Sequence, residues 1–134
     1  MLKRKGIETL PEKWDYCEFS KGAQLRVKRK LYYHHGIFTG DGVIHFGEGN
    51  AETDSASPES NKVSRCTLQE FLQGGMPEVR VYSRKEKKHL LPADEIVSRA
   101  ESRLGEGGYN LYTNNCEHFS NWCAFGVAFC NQGK

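Results

Sequence analysis

No stretch of this sequence approaches the roughly 20 apolar residues that a membrane-spanning helix needs, which excludes an integral helical membrane protein. The basic start, Met1–Gly6, has no apolar run behind it, so no secretory signal is expected. Charge of one sign is also missing: 19 Lys and Arg against 17 Asp and Glu leave +2, too mild an excess to argue nucleic-acid binding. The cysteines Cys17, Cys66, Cys116, Cys123 and Cys130 contain no CxxC spacing, so neither a zinc knuckle nor a redox pair is signalled. An odd set of unpaired thiols fits a reducing compartment, and a cytoplasmic location is expected. Internal repeats are absent as well.

What remains is a chain of 134 residues, 37% hydrophobic and 11% aromatic, enough for one compact domain. Residues 1–21 read as a loosely attached lead-in carrying Trp14, Tyr16 and Phe19, and residues 22–134 as a single domain. The alternation in Ala23–Lys28 predicts a half-buried strand. Tyr32–Phe38 and Val43–Phe46 predict two more, joined through Thr39-Gly-Asp-Gly42, whose residues suit a hairpin turn. The polar, acidic stretch 48–61 predicts a mobile loop. Thr67 with Glu70 has the form of a capping box for a short helix through Leu68, Phe71 and Leu72, stopped by Gly74-Gly75. Glu78–Tyr82 alternates again. Pro92 opens a helix at its first position, with Ile96, Val97, Ala100 and Leu104 on one stripe and Gly105 ending it. A last helix begins near Cys116, capped by Asn114 or Asn115. Strands followed by helices give an α+β domain with an antiparallel sheet. The basic clusters Lys3–Lys5, Lys28–Lys30 and Arg84–Lys88 read as solvated faces, or as a surface that settles on anionic lipid head groups.

The chemistry centres on Cys116. At the first turn of a helix, unpaired N–H groups and the positive end of the dipole favour a negative sulfur, and a neighbouring imidazole would complete the ionisation. His34, His35 and His45 supply that imidazole. An even-numbered turn puts His34 and His45 on one face of the hairpin; an odd one pairs His35 with His45. Parity alone leaves both open. One imidazole would take the thiol proton while a second holds it in a useful tautomer. A zinc site from His34, His45 and Cys116 is the competing arrangement, though a fourth ligand is not evident. His118 sits about 200° around the helix from Cys116, which suggests a structural hydrogen bond. His89, beside a basic run, is expected at the surface, and Cys123 and Cys130 in the core.

The runs Tyr33-His-His-Gly-Ile-Phe-Thr-Gly-Asp-Gly42, Val43-Ile-His-Phe46 and Asn115-Cys-Glu-His-Phe119 resemble the lecithin:retinol acyltransferase family, which includes the HRAS-like phospholipase/acyltransferases. The similarity runs from about Gly22 to Gly126. It implies a permuted NlpC-type, papain-like fold with the histidines before the cysteine. Matched residue by residue, the family nucleophile falls on Cys116, the catalytic histidine on His34 and the orienting polar residue on His45, with no cofactor and no metal. His35 stands where relatives commonly have Trp or Tyr, and the step from Gly-Asp to the second histidine is one residue shorter than in vertebrate phospholipases.

The resemblance implies two-step acyl transfer from a phospholipid or other fatty-acyl ester through a thioester on Cys116. Backbone N–H groups of its helix would stabilise the oxyanion. The implied partner is an acyl-lipid substrate, with peripheral contact to an anionic membrane surface; nucleic acid is not expected. Two other functions fit the same residues. One is a papain-like peptidase or amidase. The other is a non-catalytic module that binds lipid or RNA through the basic clusters.

Overall fold

One antiparallel sheet organises this molecule, and its central strands are buried on both faces. The computed structural model describes residues 12–47, 61–109 and 115–129. The strands are β1 (Lys13–Asp15), β2 (Gln24–Lys28), β3 (Tyr33–Phe38), β4 (Val43–Phe46), β5 (Val63–Cys66) and β6 (Glu78–Val81). The helices are α1 (Leu68–Leu72), α2 (Arg84–Lys87), α3 (Ala93–Ser102) and α4 (Cys116–Phe125). The sheet runs β1-β6-β2-β3-β4-β5, and every neighbouring pair is antiparallel. The α+β class expected from the sequence is the class observed. No helix among the described residues is long and apolar enough to cross a membrane.

Because side chains alternate across a strand, register decides what each face carries. Val27 lies opposite His34 and Leu25 opposite Gly36, which puts His34 on the face of Leu25, Val27, Val43 and Val79. Phe71 of α1 covers that face. It lies close to β3 because Gly36 has no side chain: an added Cβ there would meet Val43 at 2.6 Å and Phe71 at 2.8 Å. The other face presents Ile37, Ile44, Phe46 and Val63 to α3 and α4, whose Ile96, Val97, Ala100, Phe119, Cys123 and Ala124 fill the larger core. That leaves Cys123 inside, as its spacing suggested.

Several local expectations need correction. Lys13–Asp15, assigned to the lead-in, forms an edge strand on β6. Trp14 holds it there, stacked under the Arg26 guanidinium at 4.5 Å and edge-on to His35 at 5.4 Å. The capping box of Thr67 and Glu70 is present, but Gln73, not a glycine, takes the left-handed position that ends α1. Pro92 is the N-cap of α3 rather than its first residue, because its ψ of 151° is extended. The run Arg84–Lys88 contains the short helix α2, opened by Ser83 and Glu86 as a second capping box. Glu86 is buried and ion-paired with Arg80, while its basic neighbours face outward. His89 is half-buried instead of exposed. Residues 48–60 of the expected loop 48–61, the turn residues Thr113 and Asn114, and Cys130 lie outside the described residues.

Candidate active site

The β3–β4 hairpin settles the parity that the sequence left open. Phe38 pairs with Val43 across four loop residues, and Gly36 pairs with His45. The turn is even, so His34 and His45 share a face. His34 Nε2 lies 2.7 Å from His45 Nδ1, and the two rings meet edge-on. His45 Nε2 in turn lies 3.4 Å from the Ser64 hydroxyl, which β5 sets directly opposite His45. Sequence reasoning missed Ser64, because its register depends on a strand that follows the long acidic segment.

Both rings are uncharged. His34 is 1% exposed, and burial, the nearby His45 and the Arg29 guanidinium push its pKa well below the ordinary histidine value. Burial, then Arg29, lower His45 to about 4. Two neutral imidazoles at 2.7 Å share a single proton. When His34 donates from Nε2, its Nδ1 carries the lone pair of a base. That Nδ1 is buried with no hydrogen-bond partner among the described residues.

Cys116 is the first residue of α4, as its spacing suggested. Asn115 is the N-cap, and its side-chain oxygen accepts from the amides of Glu117 and His118. His118 Nδ1 accepts from the Asn115 amide and closes a capping box, so its task is structural. The same cap engages the amides of Glu117 and His118.

The helix is pinned in place by buried polar groups. Gln24 donates to Ser120 and Asn121 at 2.9 Å each and accepts from the Tyr82 hydroxyl at 2.8 Å. Asn121 donates to the Phe129 carbonyl. None of these residues stood out in the sequence, since a buried amide has no local pattern.

The structure brings His34 and His45 together on the face that Phe71 covers, whereas Cys116 belongs to the core of α3 and α4 on the opposite face of the sheet. The Cys116 thiol lies 3.9 Å from the carbonyl oxygen of Tyr33, the residue before His34. The thiol and the His34 imidazole are not hydrogen-bonded in this conformation. Burial also opposes the resting thiolate–imidazolium pair expected from the sequence, because a proton on His34 would be desolvated. Among the described residues no three His, Cys, Asp or Glu side chains gather as a metal-ligand set, and His34, His45 and Cys116 do not converge as one.

His35 points the other way. It is 2% exposed, and burial, Arg26 and Arg80 lower its pKa to about 3. Its Nε2 stands 3.9 Å from the Glu117 carboxylate. Uncharged, it makes no ion pair there. An open cleft of about 390 Å³ begins at this point, with Tyr33, His35 and Glu117 in its wall and Arg26, Lys28 and Lys30 along one side.

Comparison with known proteins places these residues in context. The family model described as lecithin retinol acyltransferase matches residues 17–129. Bovine lecithin retinol acyltransferase is 30% identical over 138 residues, an alignment covering 89% of this chain and 60% of that protein. Human phospholipase A and acyltransferase 3 is 33% identical over 121 residues, covering 83% of this chain and 74% of that protein. Human phospholipase A and acyltransferase 2 is 34% identical over 119 residues with the same coverage.

Proposed function

The chain belongs to the lecithin retinol acyltransferase family, and on that premise we propose that it is a thiol-dependent acyltransferase and acyl hydrolase acting on a phospholipid or other fatty-acyl ester. The chain spans 60% of the length of the bovine lecithin retinol acyltransferase it matches, so the activity and the acyl-lipid substrate are our reading of this part. The observation that carries it is the 2.7 Å bond between His34 and His45, with the second nitrogen of His34 unpartnered among the described residues, on a chain whose family match spans residues 17–129.

In this mechanism Cys116 attacks the ester carbonyl carbon. A C–S bond forms, the ester C–O bond breaks, and His34 moves the thiol proton to the leaving alcohol. His45 accepts from His34 Nε2 and so keeps the lone pair on Nδ1. The proton leaves the thiol as attack proceeds, because burial disfavours a charged His34 at rest. The positive end of α4 favours charge developing at the sulfur and on the carbonyl oxygen. The chemistry requires the thiol and the His34 imidazole to meet, and in this conformation they lie on opposite faces of the sheet. Water or another acceptor then attacks the thioester, giving its proton to His34 and returning the thiol.

Peripheral contact with an anionic membrane, and a cytoplasmic setting, are part of the same reading. The exposed lysines Lys28, Lys30, Lys85, Lys87 and Lys88 support the first.

Intact-mass analysis after exposure to a short-chain phospholipid tests the chemistry. The expected result is an adduct of acyl mass on Cys116 that hydroxylamine removes and that Cys116→Ala abolishes. An adduct absent from the native chain, or unchanged in Cys116→Ala, overturns it.

A further inference from the structure

We infer that the protein settles on an anionic bilayer through the tip of the β2–β3 hairpin, with Leu31 entering the interface and Lys28 and Lys30 meeting lipid phosphates. This deepens the membrane contact of the proposed function. It rests on the acyl-ester reading for the choice of a lipid surface over a protein partner.

The tip is apolar where neither the turn nor the core requires it. Lys28 pairs with Tyr33, and the Arg29 amide donates to the Tyr32 carbonyl at 2.8 Å, so the hairpin closes over the two residues Lys30 and Leu31. Loops of this length favour Asn, Asp and Gly, which accept positive φ. Gln73 is the only non-glycine with positive φ among the described residues, so the Lys30-Leu31 turn is of another kind. Leu31 is 90% exposed and belongs to neither core cluster.

A second exposed hydrophobic lies at the same end of the sheet. Met76 is 68% exposed and precedes β6 by two residues. Glu78 lies opposite Arg26, which brings Met76 level with Lys28. The Gly75 backbone is so close to β2 that an added Cβ would meet Val27 at 2.6 Å. Tyr16, 65% exposed, follows β1, which runs toward this end as well.

The thiol belongs to this end too. Tyr33, whose carbonyl Cys116 approaches at 3.9 Å, is two residues, or about 7 Å, from Leu31. Interfacial segments sink about 5–10 Å, so a seated tip brings the thiol to the level of the head groups and their esters. The open cleft runs between them, lined by exposed Lys28, Lys30 and Leu31 and by buried Glu117.

Charge sets the lipid and the orientation. Glu78 is paired with Arg26 at 2.8 Å, while Lys28 and Lys30 are exposed. A lysine at an anionic surface contributes about fivefold in affinity. The other exposed group, Lys85, Lys87 and Lys88, follows β6 at its far end, and Leu91 just beyond it bonds to Ala124, near the end of α4 away from Cys116. Salt screens charges beyond about 8–10 Å, so that group contributes little to a bilayer seated at the tip.

The test is flotation of the whole protein with vesicles of ether-linked lipids, which offer no ester to consume. One set is phosphatidylcholine alone; the other is equal parts of phosphatidylcholine and phosphatidylglycerol. We expect at least about tenfold tighter binding to the mixed vesicles, with phosphatidylserine serving as well as phosphatidylglycerol. Leu31→Gln, an exposed change that keeps the charge, should weaken binding about tenfold. Lys28→Ala with Lys30→Ala should weaken it by about tenfold or more, and alanine at Lys85, Lys87 and Lys88 together by less than about threefold. Leu31→Trp should keep the binding and report it, through emission that moves to shorter wavelength on mixed vesicles and is quenched by acyl-brominated lipid. No binding, equal binding to both vesicles, or dependence on one anionic head group alone would each overturn the proposal. So would a Leu31→Gln protein that binds normally, an unmoved Leu31→Trp emission, or a larger loss from the far lysines. Acylation of Cys116 by ester-linked lipid is read separately by mass. Seating without acylation retains this surface and removes the thiol chemistry; acylation without seating does the opposite.

Discussion

Lowering the pH from 8 to 5 should destabilise this protein steeply, and in a window where carboxylates contribute little. His35 and His45 are buried neutral, with pKa values held down to about 3 and about 4, and His34 is shifted in the same direction. In the unfolded chain each titrates near 6.5. As pH falls below that value the unfolded state takes up protons that the folded state refuses, so stability falls with pH until the folded groups titrate too. Each such histidine costs about 1.4 kcal/mol per pH unit below 6.5. At pH 5 His35 and His45 together cost about 4 kcal/mol, and His34 adds to the loss. Domains of this kind have a total of about 5–15 kcal/mol, so the loss is a large share. Exposed Glu70, whose carboxyl the Thr67 cap holds low, contributes only once pH drops through the carboxylate range. Urea unfolding at half-unit steps of pH, followed by the fluorescence of Trp14 and Trp122, measures the slope directly. His35→Phe should make the slope between pH 6 and 5 shallower by about 1.4 kcal/mol per unit. Stability that is flat or rising over that interval in the unsubstituted chain would refute the burial of neutral imidazoles.

Three further outcomes follow from the geometry. His34→Ala should slow acyl-adduct formation by about 10²–10⁴, and His45→Ala, which removes its 2.7 Å partner, by at least about tenfold in single-turnover mass measurements; a fully active His45→Ala excludes the tautomer role. Glu86→Ala should cost about 3–5 kcal/mol in urea unfolding, because it strands the buried Arg80 guanidinium, and a loss under about 1 kcal/mol would contradict that. Burial raises the Cys66 and Cys123 thiols to about 11 and about 12, so iodoacetamide near neutral pH should label exposed Cys17 well before either; early labelling of Cys123 in the folded protein would contradict its place in the core.

The parts of this fold visible in the sequence are those whose cause is local. Thr67 with Glu70 declares a helix start because both hydrogen bonds of the cap close within four residues. The strand at Gln24–Lys28 shows in its alternation because one face is buried and the other meets solvent at its end. Asn115 marks the start of α4 for the same local reason. The remaining features depend on distant partners. Lys13–Asp15 is too short and too polar to read as a strand, and it becomes one because Trp14 finds Arg26 and His35 on β2 and β3. Glu86 looks like one charge among five in Arg84–Lys88, yet it is buried because Arg80 stands beneath it. Hairpin parity divided His34 from His35, and only the pairing of Gly36 with His45 resolves it. Ser64 and Gln24 carry no signal at all, since their roles exist only after β5 and α4 have docked.

The two imidazoles sit on a hairpin that can close from neighbouring residues alone, whereas the sulfur comes from a helix some 70 residues further along the chain. On the ribosome the hairpin can therefore assemble early and remain inert. On the proposed chemistry, a nascent fragment lacking α4 would neither acylate itself nor consume lipid. On that reading competence would wait for Gln24 to engage the Asn121 amide and the Ser120 hydroxyl of α4. The onset of acylation during refolding would thus act as a stopwatch for that capture, lagging behind any optical signal that reports the sheet.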